Sequence, residues 1–424
     1  MRAAEPTTKH SAVPPSSPEA ELLLACARVS TDDATAAEIN ETLKRGIDWE
    51  RSTKLAQRHG MLPLLYWNLR TVSSADIPAE ALSNLRSYFQ ENVRRNLFLT
   101  RELLSLLNLL ESNGIPAVPY KGPVLAQMAY QNLAFREMCD LDIFIRQEDF
   151  PKAMRALHSQ GYRSATQLFS ERAIRACLAR EYAHTMVHDK GSIVELHWAI
   201  TPKFLPFSLD NALWERLEPL AIAGSTVLNF VKEDLLLILC VHGAKHMWER
   251  LEWICCLAQL IRNYPEIDWT LAIERAEAQG GARLLLLGLL LAHELFEVRL
   301  AEEVRQRIQA DPTLTRLGAQ VRERLFRDED GPEEFFEESM FHFSIRERTI
   351  DRLRYSLHFV LRRLAPNVED RAFLPLPRSL FFLYYAIRPL RLFRIYLLKS
   401  RPREVRDSTL PAGVCRKSAV GTKC

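Results

Sequence analysis

The sequence predicts an α+β fold, in which a small mixed sheet lies between an N-terminal and a C-terminal helical region. Apolar residues recur at spacings of three and four from residue 19 to 113 and again from 205 to 400, which is typical of helices. Between 114 and 204, short apolar runs alternate with helical patterns, which predicts a sheet. The length of 424 residues allows two or three domains.

The two ends of the chain are predicted to be irregular. Residues 1–18 form a polar leader without the apolar segment of a secretory signal, and residues 401–424 form a flexible basic tail. The net charge of +3 is too small to indicate a specific nucleic-acid partner. No cysteines are paired at zinc spacing. These features favour a cytoplasmic protein.

Six short elements are predicted for the central region. They are a strand at 115–120, a helix at 123–131, a strand at 141–145, a helix at 148–162, and a hairpin with strands at 184–189 and 192–200. Pro123 near the start of the first helix and Gly161 near the end of the second are typical helix boundaries. Lys190-Gly191 supplies the turn of the hairpin.

In the C-terminal region, two segments carry the clearest helical pattern. Residues 233–264 predict two successive helices. Residues 281–296 are apolar on nearly every side, which predicts a buried helix.

Three carboxylates are candidates for a metal site. Asp140 and Asp142 lie two apart at the start of a predicted strand, so their side chains share one face. Glu195 joins them if its strand lies beside theirs. Three carboxylates on one face repel each other unless cations are present, and Mg²⁺ (or Mn²⁺) is the hard ion that suits oxygen ligands and substrate phosphates. Two such ions can assist a phosphoryl displacement.

Lys121 and Gly122 lie upstream, just before a predicted helix. Glycine lets a phosphate approach the backbone, the helix start offers N–H groups, and the lysine adds a positive charge. An Asp-x-Asp pair alone is a weak signal, because most such pairs are solvated surface carboxylates. The ordered set of Lys-Gly, helix, Asp-x-Asp strand and later strand glutamate is far less common.

These residues resemble a known family. The central region is similar to the bacterial uncharacterised nucleotidyltransferase family, within the DNA polymerase β superfamily. The resemblance covers roughly 115–265 and is specific as a set. Its motifs here are Lys121-Gly122, Tyr130, Arg136, "DLDIFI" at 140–145, "ELHW" at 195–198 and "HGAKHMWERLEWI" at 242–254.

The resemblance implies roles for the site residues. Asp140, Asp142 and Glu195 would be catalytic and would bind the metal. The residues implied for nucleotide binding are Lys121, Gly122, Arg136, His197, His242, Lys245 and His246.

Structural alternatives stay open for several of these residues. Arg136 can pair with Glu137 or Asp140 instead of a phosphate, and His197 can make a structural hydrogen bond. His242 and His246 share a helix face but lack the HExxH pattern of a zinc site, and they can be buried helix histidines.

The predicted function is Mg²⁺-dependent transfer of an NMP group from an NTP to an unidentified acceptor, with release of pyrophosphate. The acceptor can be a small molecule, a sugar, a peptide or a protein. The alternative is a non-catalytic nucleotide-binding or scaffold module that retains the fold. Pro123 and the Cys255–Cys256 pair depart from the family pattern and favour that alternative.

A basic segment near the C-terminus is a candidate for membrane contact. Residues 371–403 contain eight basic and no acidic residues. Arg388 and Pro389 interrupt the apolar run within it, so a transmembrane helix is not expected. Peripheral contact with an anionic membrane and packing of a basic helix on its own domain are the two interpretations.

Overall fold

The fold is α+β, as predicted. A computed structural model describes residues 17–72, 76–166, 168, 170–202, 211–327, 335–364, 370 and 373–398. The chain divides into two units, residues 1–349 and 350–424. The predicted leader lies outside the described residues except for Ser17 and Pro18, which begin the first helix, and the predicted tail at 401–424 lies wholly outside them.

Five helices precede the sheet. They are α1 (Pro18–Ala25), α2 (Asp33–Lys44), α3 (Trp49–His59), α4 (Leu62–Leu69) and α5 (Ala79–Ser112). The first three begin where a side-chain oxygen accepts a hydrogen bond from a free backbone N–H, and those capping residues are Ser17, Asp32 and Asp48. Helices thus flank the sheet on its N-terminal side, as the fold class predicts.

The central elements follow in the order that the sequence predicts, with two additions. They are β1 (Ala117–Pro119), α6 (Pro123–Tyr130), β2 (Leu141–Ile145), α7 (Phe150–Ser159), β3 (Tyr162–Ser164), α8 (Glu171–Arg180), β4 (Ala183–His188) and β5 (Ile193–His197). The additions are β3 and α8. β3 has only three residues, too few for a recognisable alternation. α8 was missed although Ile174, Cys177 and Leu178 recur at helical spacing and pack against the hydrophobic cluster below the sheet.

The five strands form one mixed sheet in the order β1-β2-β5-β4-β3. β2 and β5 are parallel, and every other pair is antiparallel. The predicted hairpin is the β4–β5 pair. The strand that carries Glu195 therefore lies directly beside the strand that carries Asp142.

The two faces of the sheet differ in chemistry. Ile143, Val194 and Leu196 point to one face and belong to a hydrophobic cluster with the leucines of α5. The opposite face carries Asp142 and Glu195, because side chains alternate along a strand. The face with Ile143, Val194 and Leu196 thus packs in the core, and the face with the two carboxylates can form a functional site.

The loop between α6 and β2 is held by α5. Asn92 Nδ2 donates a hydrogen bond to Ala134 O (2.9 Å), and Asn96 Nδ2 donates to Leu133 O (2.6 Å) and Arg136 O (2.7 Å). Both asparagines are buried. The long helix therefore fixes the segment that leads into Asp140.

A second, two-stranded sheet follows, which the sequence analysis missed. It is formed by β6 (Glu218–Ile222) and β7 (Ser225–Asn229). The two residues between them, Ala223 and Gly224, have φ angles of 49° and 80°. Two consecutive positive φ angles are typical of a tight hairpin turn. The chain is therefore not helical throughout from residue 205.

Seven further helices lie among the described residues of the first unit: α9 (Lys232–Lys245), α10 (Leu251–Asn263), α11 (Trp269–Ala278), α12 (Ala282–Phe296), α13 (Glu302–Ala310), α14 (Pro312–Leu325) and α15 (Phe335–Ser344). The two helices predicted at 233–264 are α9 and α10, and the buried helix predicted at 281–296 is α12.

The turn between α9 and α10 is built around Trp248. Its side chain is fully buried, and its backbone N–H donates to Gly243 O (2.8 Å). A Cβ atom on Gly243 would lie 2.4 Å from the indole ring, and one on Gly288 would lie 3.0 Å from it. Glycine is required at Gly243 because the indole occupies the place of a side chain.

In the second unit, the described elements are α16 (Thr349–Leu364), a short 3-10 helix (Arg378–Leu383) and α17 (Tyr384–Leu398). Asp370 is fully buried and pairs with Arg388 (2.8 Å) and Arg391 (2.6 Å). Two of the basic residues counted in 371–403 are therefore paired internally with a single carboxylate. Among the described residues, no helix has the length and apolar character needed to cross a bilayer.

Candidate functional site

The candidate site is built on the parallel pair β2–β5. Asp142 and Glu195 are partners in the register of the two strands. His197 lies two residues after Glu195 and so shares its face. Asp142 and His197 are buried, at 4% and 3% exposure, while Glu195 is half-buried. The pairing predicted from the sequence is found.

Two nitrogen atoms contact one oxygen of Asp142. His197 Nε2 lies 2.9 Å from Asp142 Oδ1, and Lys121 Nζ lies 3.4 Å from the same atom. His197 Nε2 also lies 3.4 Å from Glu195 Oε2. Burial lowers the pKa of His197, but hydrogen bonds to the two carboxylates and their charges outweigh it and raise the pKa above its usual value.

Asp142, Glu195 and His197 could hold a metal ion. Among the described residues, they form a group whose ligand atoms all lie within 4.8 Å of one another. A metal-bound imidazole almost always donates its second N–H to an acceptor, but His197 Nδ1 is buried without a hydrogen-bond partner. The two carboxylates therefore fit a hard divalent cation better than the imidazole does, and His197 fits the role of a donor to them.

Asp140 occupies a different position from Asp142. It directly precedes β2, is half-buried, and is not a member of the group that can share one ion. The negative charge of Asp140 still acts on the site electrostatically, because it contributes to the raised pKa values of Tyr120 and Arg136. Its role as a metal ligand stays a prediction.

Gly122 has a backbone that other residues rarely adopt. Its φ and ψ angles are 54° and −126° at the start of α6. A Cβ atom there would be 3.5 Å from Asp140 O, so the loop runs close to the entry of β2. Pro123 has no N–H, and the N–H of Val124 donates to Lys121 O (3.2 Å). Lys121 is therefore the main positive group that this loop directs at the carboxylates.

The side chain of Arg136 lies in a buried ionic network. Its Nε lies 3.0 Å from Glu252 Oε1. Arg250 also contacts Glu252 (3.6 Å) and Glu137 (3.8 Å). The partners predicted for Arg136 from the sequence were Glu137 and Asp140. Glu252, which lies more than 100 residues away in α10, was not predicted. A contact between Arg136 and phosphate stays a prediction.

The last turn of α9 carries the histidines that the resemblance implies. The rings of His242 and His246 have centroids 5.0 Å apart, and each packs against Trp253, at 5.0 and 5.4 Å. Burial, with the charges of Lys121 and Lys245, holds both pKa values well below the usual value. The two imidazoles are therefore neutral at pH 7, and any phosphate contact from them is a neutral hydrogen bond.

Lys245 connects α9 to the strands. Its Nζ donates a hydrogen bond to the Tyr182 hydroxyl and lies 4.5 Å from the centre of that ring. The Tyr182 ring centroid is 6.0 Å from that of His197. The structure thus brings Lys245 close to the carboxylate pair through a tyrosine that the sequence analysis missed.

Tyr120 is a second missed residue. It is buried at 1% exposure, and its ring packs edge-on against His197 with centroids 5.4 Å apart. Burial and the charges of Asp142 and Glu195 raise its pKa well above the usual value, so its hydroxyl keeps its proton. Its position directly before Lys121 was the sequence feature that could have indicated a place in the site.

Cys255 and Cys256 are structural in this arrangement. Both are fully buried in α10, and Cys256 Sγ lies 3.3 Å from the Tyr130 hydroxyl. Burial raises the pKa of Cys255 to about 12, so its thiol stays protonated. The Cys255–Cys256 pair, which departs from the family pattern, therefore lies in the hydrophobic core.

One of three comparisons with known proteins gives a match. A family model described as uncharacterised nucleotidyltransferase matches residues 45–297, which is more than half of the chain. No curated protein and no solved structure gives a significant match. The matched range includes the Lys121 loop, both strands of the site, and the helices that carry His242 and Trp253. The chain therefore belongs to the uncharacterised nucleotidyltransferase family.

Proposed function

We propose that the protein is an Mg²⁺-dependent nucleotidyltransferase, with Mn²⁺ as a substitute metal. It transfers an NMP group from an NTP to an acceptor hydroxyl or phosphate. The observation that carries the proposal is the in-register pair of Asp142 and Glu195, with Lys121 and His197 in contact with it. Membership of a nucleotidyltransferase family supports the reaction class.

In the proposed reaction, an acceptor oxygen attacks the α-phosphorus of the NTP. A new phosphorus–oxygen bond forms, the bond from the α-phosphorus to the bridging oxygen breaks, and pyrophosphate leaves. Glu195 accepts the proton of the acceptor hydroxyl, because it is the more exposed of the two paired carboxylates. Bound divalent cations would neutralise the triphosphate and the charge that develops on the leaving oxygen.

The residues of the site divide the remaining tasks of this scheme, and Glu195 serves as a metal ligand as well as the base. Asp142, Glu195 and Asp140 hold the cation through oxygen atoms. His197 orients the two paired carboxylates through its Nε2. Lys121 contacts Asp142 when no cation is bound. With a cation on the carboxylates, the Lys121 ammonium group would contact a phosphate of the NTP instead, since it can pair with either a carboxylate or a phosphate.

The remaining predicted contacts complete the nucleotide site. The Gly122 backbone and Arg136 lie near the phosphates, and His242, Lys245 and His246 line the side formed by α9. The acceptor is a small molecule, a sugar, a peptide or a protein. NTPs are cytoplasmic, so we place the reaction in the cytoplasm, without a specific nucleic-acid partner.

Calorimetric titration with each of the four NTPs, with and without Mg²⁺, tests this function. The wild type is compared with Asp140→Ala/Asp142→Ala and with Asp189→Ala, whose side chain is 78% exposed in the hairpin turn. We expect Mg²⁺-dependent binding in the wild type and the Asp189 variant, and none in the double variant. Absence of NTP binding in the wild type would overturn the proposal.

A second candidate function is a non-catalytic nucleotide-binding module. The favouring observation is that Lys121 and His197 both contact Asp142 Oδ1, so this chain compensates the carboxylate without a metal. In that case NTP binding would persist in EDTA and in Asp142→Ala. Binding that is lost under either condition would exclude the module.

A further inference from the structure

The second unit exposes an unusual amount of apolar surface. Five large apolar side chains of α16 are about half exposed or more: Ile350 (50%), Leu353 (64%), Leu357 (57%), Val360 (49%) and Leu361 (58%). Further along, Phe382 (65%), Tyr385 (60%) and Leu390 (70%) are also exposed. Scattered exposed leucines are normal, but a contiguous set marks an interaction surface.

The five residues of α16 form one stripe. Their spacings of three, four, three and one place them on a single side of a helix. The buried side of the same helix carries Asp351 (8%) and Tyr355 (9%) instead. The apolar side of α16 thus faces outward in this unit. Sixteen residues span about 24 Å, which suits a helix lying flat on a surface.

The same segment is strongly basic. Residues 350–403 contain twelve lysine and arginine residues and three acidic residues, which gives +9, whereas the whole chain carries +3. Of the three acidic residues, Asp370 is fully buried against Arg388 and Arg391, and Asp351 is 8% exposed. Arg388 and Arg391 are themselves buried, at 8% each, so ten basic residues remain against Glu369, and the segment is positive as well as apolar.

The exposed apolar stripe and the positive charge together indicate what kind of partner this surface binds. A second copy of the chain would bring one basic face against another, and like charges at close range are unfavourable. A nucleic acid would satisfy the arginines but would leave the leucine stripe in water. An anionic bilayer satisfies both, since headgroups attract arginine and the acyl boundary accepts leucine.

We propose that α16 binds the surface of an anionic lipid bilayer and lies in the plane of the membrane. Leu353 and Leu357 enter the boundary between headgroups and acyl chains, and Arg352 and Arg354 lie at the phosphates. The inference extends the membrane contact predicted for 371–403 to α16, which the basic run alone did not indicate. It is independent of the nucleotidyl transfer proposed for the first unit.

Co-sedimentation of the full chain with vesicles tests the proposal. One vesicle is phosphatidylcholine alone, and the other contains about one third phosphatidylglycerol, which supplies the negative surface potential. Leu353→Gln/Leu357→Gln removes apolar groups without changing charge or helix propensity. Leu97→Gln is the matched control, because Leu97 is 56% exposed on α5 in the first unit. Arg352→Gln/Arg354→Gln tests the electrostatic part.

We expect the wild type and Leu97→Gln to sediment with anionic vesicles only, and both double variants to bind about tenfold more weakly. Failure of the wild type to bind anionic vesicles would overturn the proposal. It would also be overturned if the leucine variant bound as the wild type does, since the association would then be electrostatic alone. A wild-type dimer that this variant makes monomeric, without vesicle binding, would show that a second copy covers the stripe.

Discussion

Asp142 and Glu195 are partners across the parallel strands β2 and β5, with their Cα atoms in register. The relationship is fixed by the backbone hydrogen bonds of the sheet and not by the side chains themselves. Neighbouring strands lie about 4.8 Å apart, so the two carboxylates stay within reach of one cation whatever their protonation state. Substitutions at either position should therefore report on chemistry more than on folding.

Asp142 and Asp140 should differ in their effect on metal binding, although the sequence pattern treats them alike. Asp142 belongs to the group that can share an ion, and Asp140 does not. We expect Asp142→Asn to weaken Mn²⁺ binding by about tenfold or more and Asp140→Asn to weaken it less. Electron paramagnetic resonance of bound Mn²⁺ measures both. Equal losses would mean that Asp140 turns into the site when the metal binds.

Gly122→Ala should weaken NTP binding without unfolding the protein. A side chain at φ 54° and ψ −126° is strained by roughly 1–3 kcal/mol, and relief of that strain would move the loop that carries Lys121. Gly191→Ala is the control: it also has a positive φ, 89°, with open space for a Cβ, but it lies in the β4–β5 turn. Both variants should lower the melting temperature. Unchanged NTP affinity in Gly122→Ala would show that this loop does not contact the nucleotide.

Gly243→Ala should destabilise the protein, although alanine normally favours a helix over glycine. The added Cβ would lie 2.4 Å from the buried Trp248 ring, so the indole must leave its place. We expect a loss of about 3 kcal/mol in the free energy of unfolding, measured by urea denaturation. Gly318→Ala is the matched control, because Gly318 also lies in a helix and its added Cβ would come no closer than 3.1 Å, to the flexible side chain of Leu290. A stabilised Gly243→Ala would contradict the packing described here.

His59 should make folding sensitive to acid. It is fully buried, its Nε2–H donates to Leu325 O (3.0 Å), and its Nδ1 accepts from Leu251 N (3.2 Å). Burial, followed by the charge of Arg58, lowers its pKa from 6.5 to about 3. Between these values the unfolded chain binds the extra proton, so stability falls as pH falls below 6.5.

His59→Gln keeps both hydrogen-bonding roles but does not titrate. Between pH 7 and pH 5, the wild type should lose roughly 2 kcal/mol more than this variant in the free energy of unfolding. Thermal or urea denaturation at several pH values measures the difference. Equal losses in the two proteins would show that His59 is not held neutral in the folded state.

The sequence was sufficient for the elements with strong local signals. The strand Leu141–Ile145 is a buried apolar run, and the helix Pro123–Tyr130 has proline at its start, so both were predicted with nearly the observed bounds. The adjacency of Asp142 and Glu195 followed from alternation once the two strands were placed side by side. These features depend on short-range patterning, which a single sequence contains.

The features that were missed depend on contacts between distant parts of the chain. Glu252 reaches Arg136 across more than 100 residues, and Lys245 reaches Tyr182 across 63. No short-range sequence pattern predicts such pairs, because neither partner can be told apart from a solvent-exposed polar residue by its neighbours in the sequence. The neutral state of His242 and His246 was also invisible, since it arises from burial and neighbouring charges in the folded protein.

The long helix α5 constrains how the family can vary. Its asparagines Asn92 and Asn96 hold the loop before β2, and about two turns further on Leu103 enters the cluster beneath the sheet. Inserting one residue between these positions would rotate one set by about 100° relative to the other. The loop and the sheet could not both keep their contacts. Length differences among relatives should therefore fall in the connecting segments. The number of residues in α5 between the asparagines that hold the loop and the leucines that pack under the sheet should stay constant.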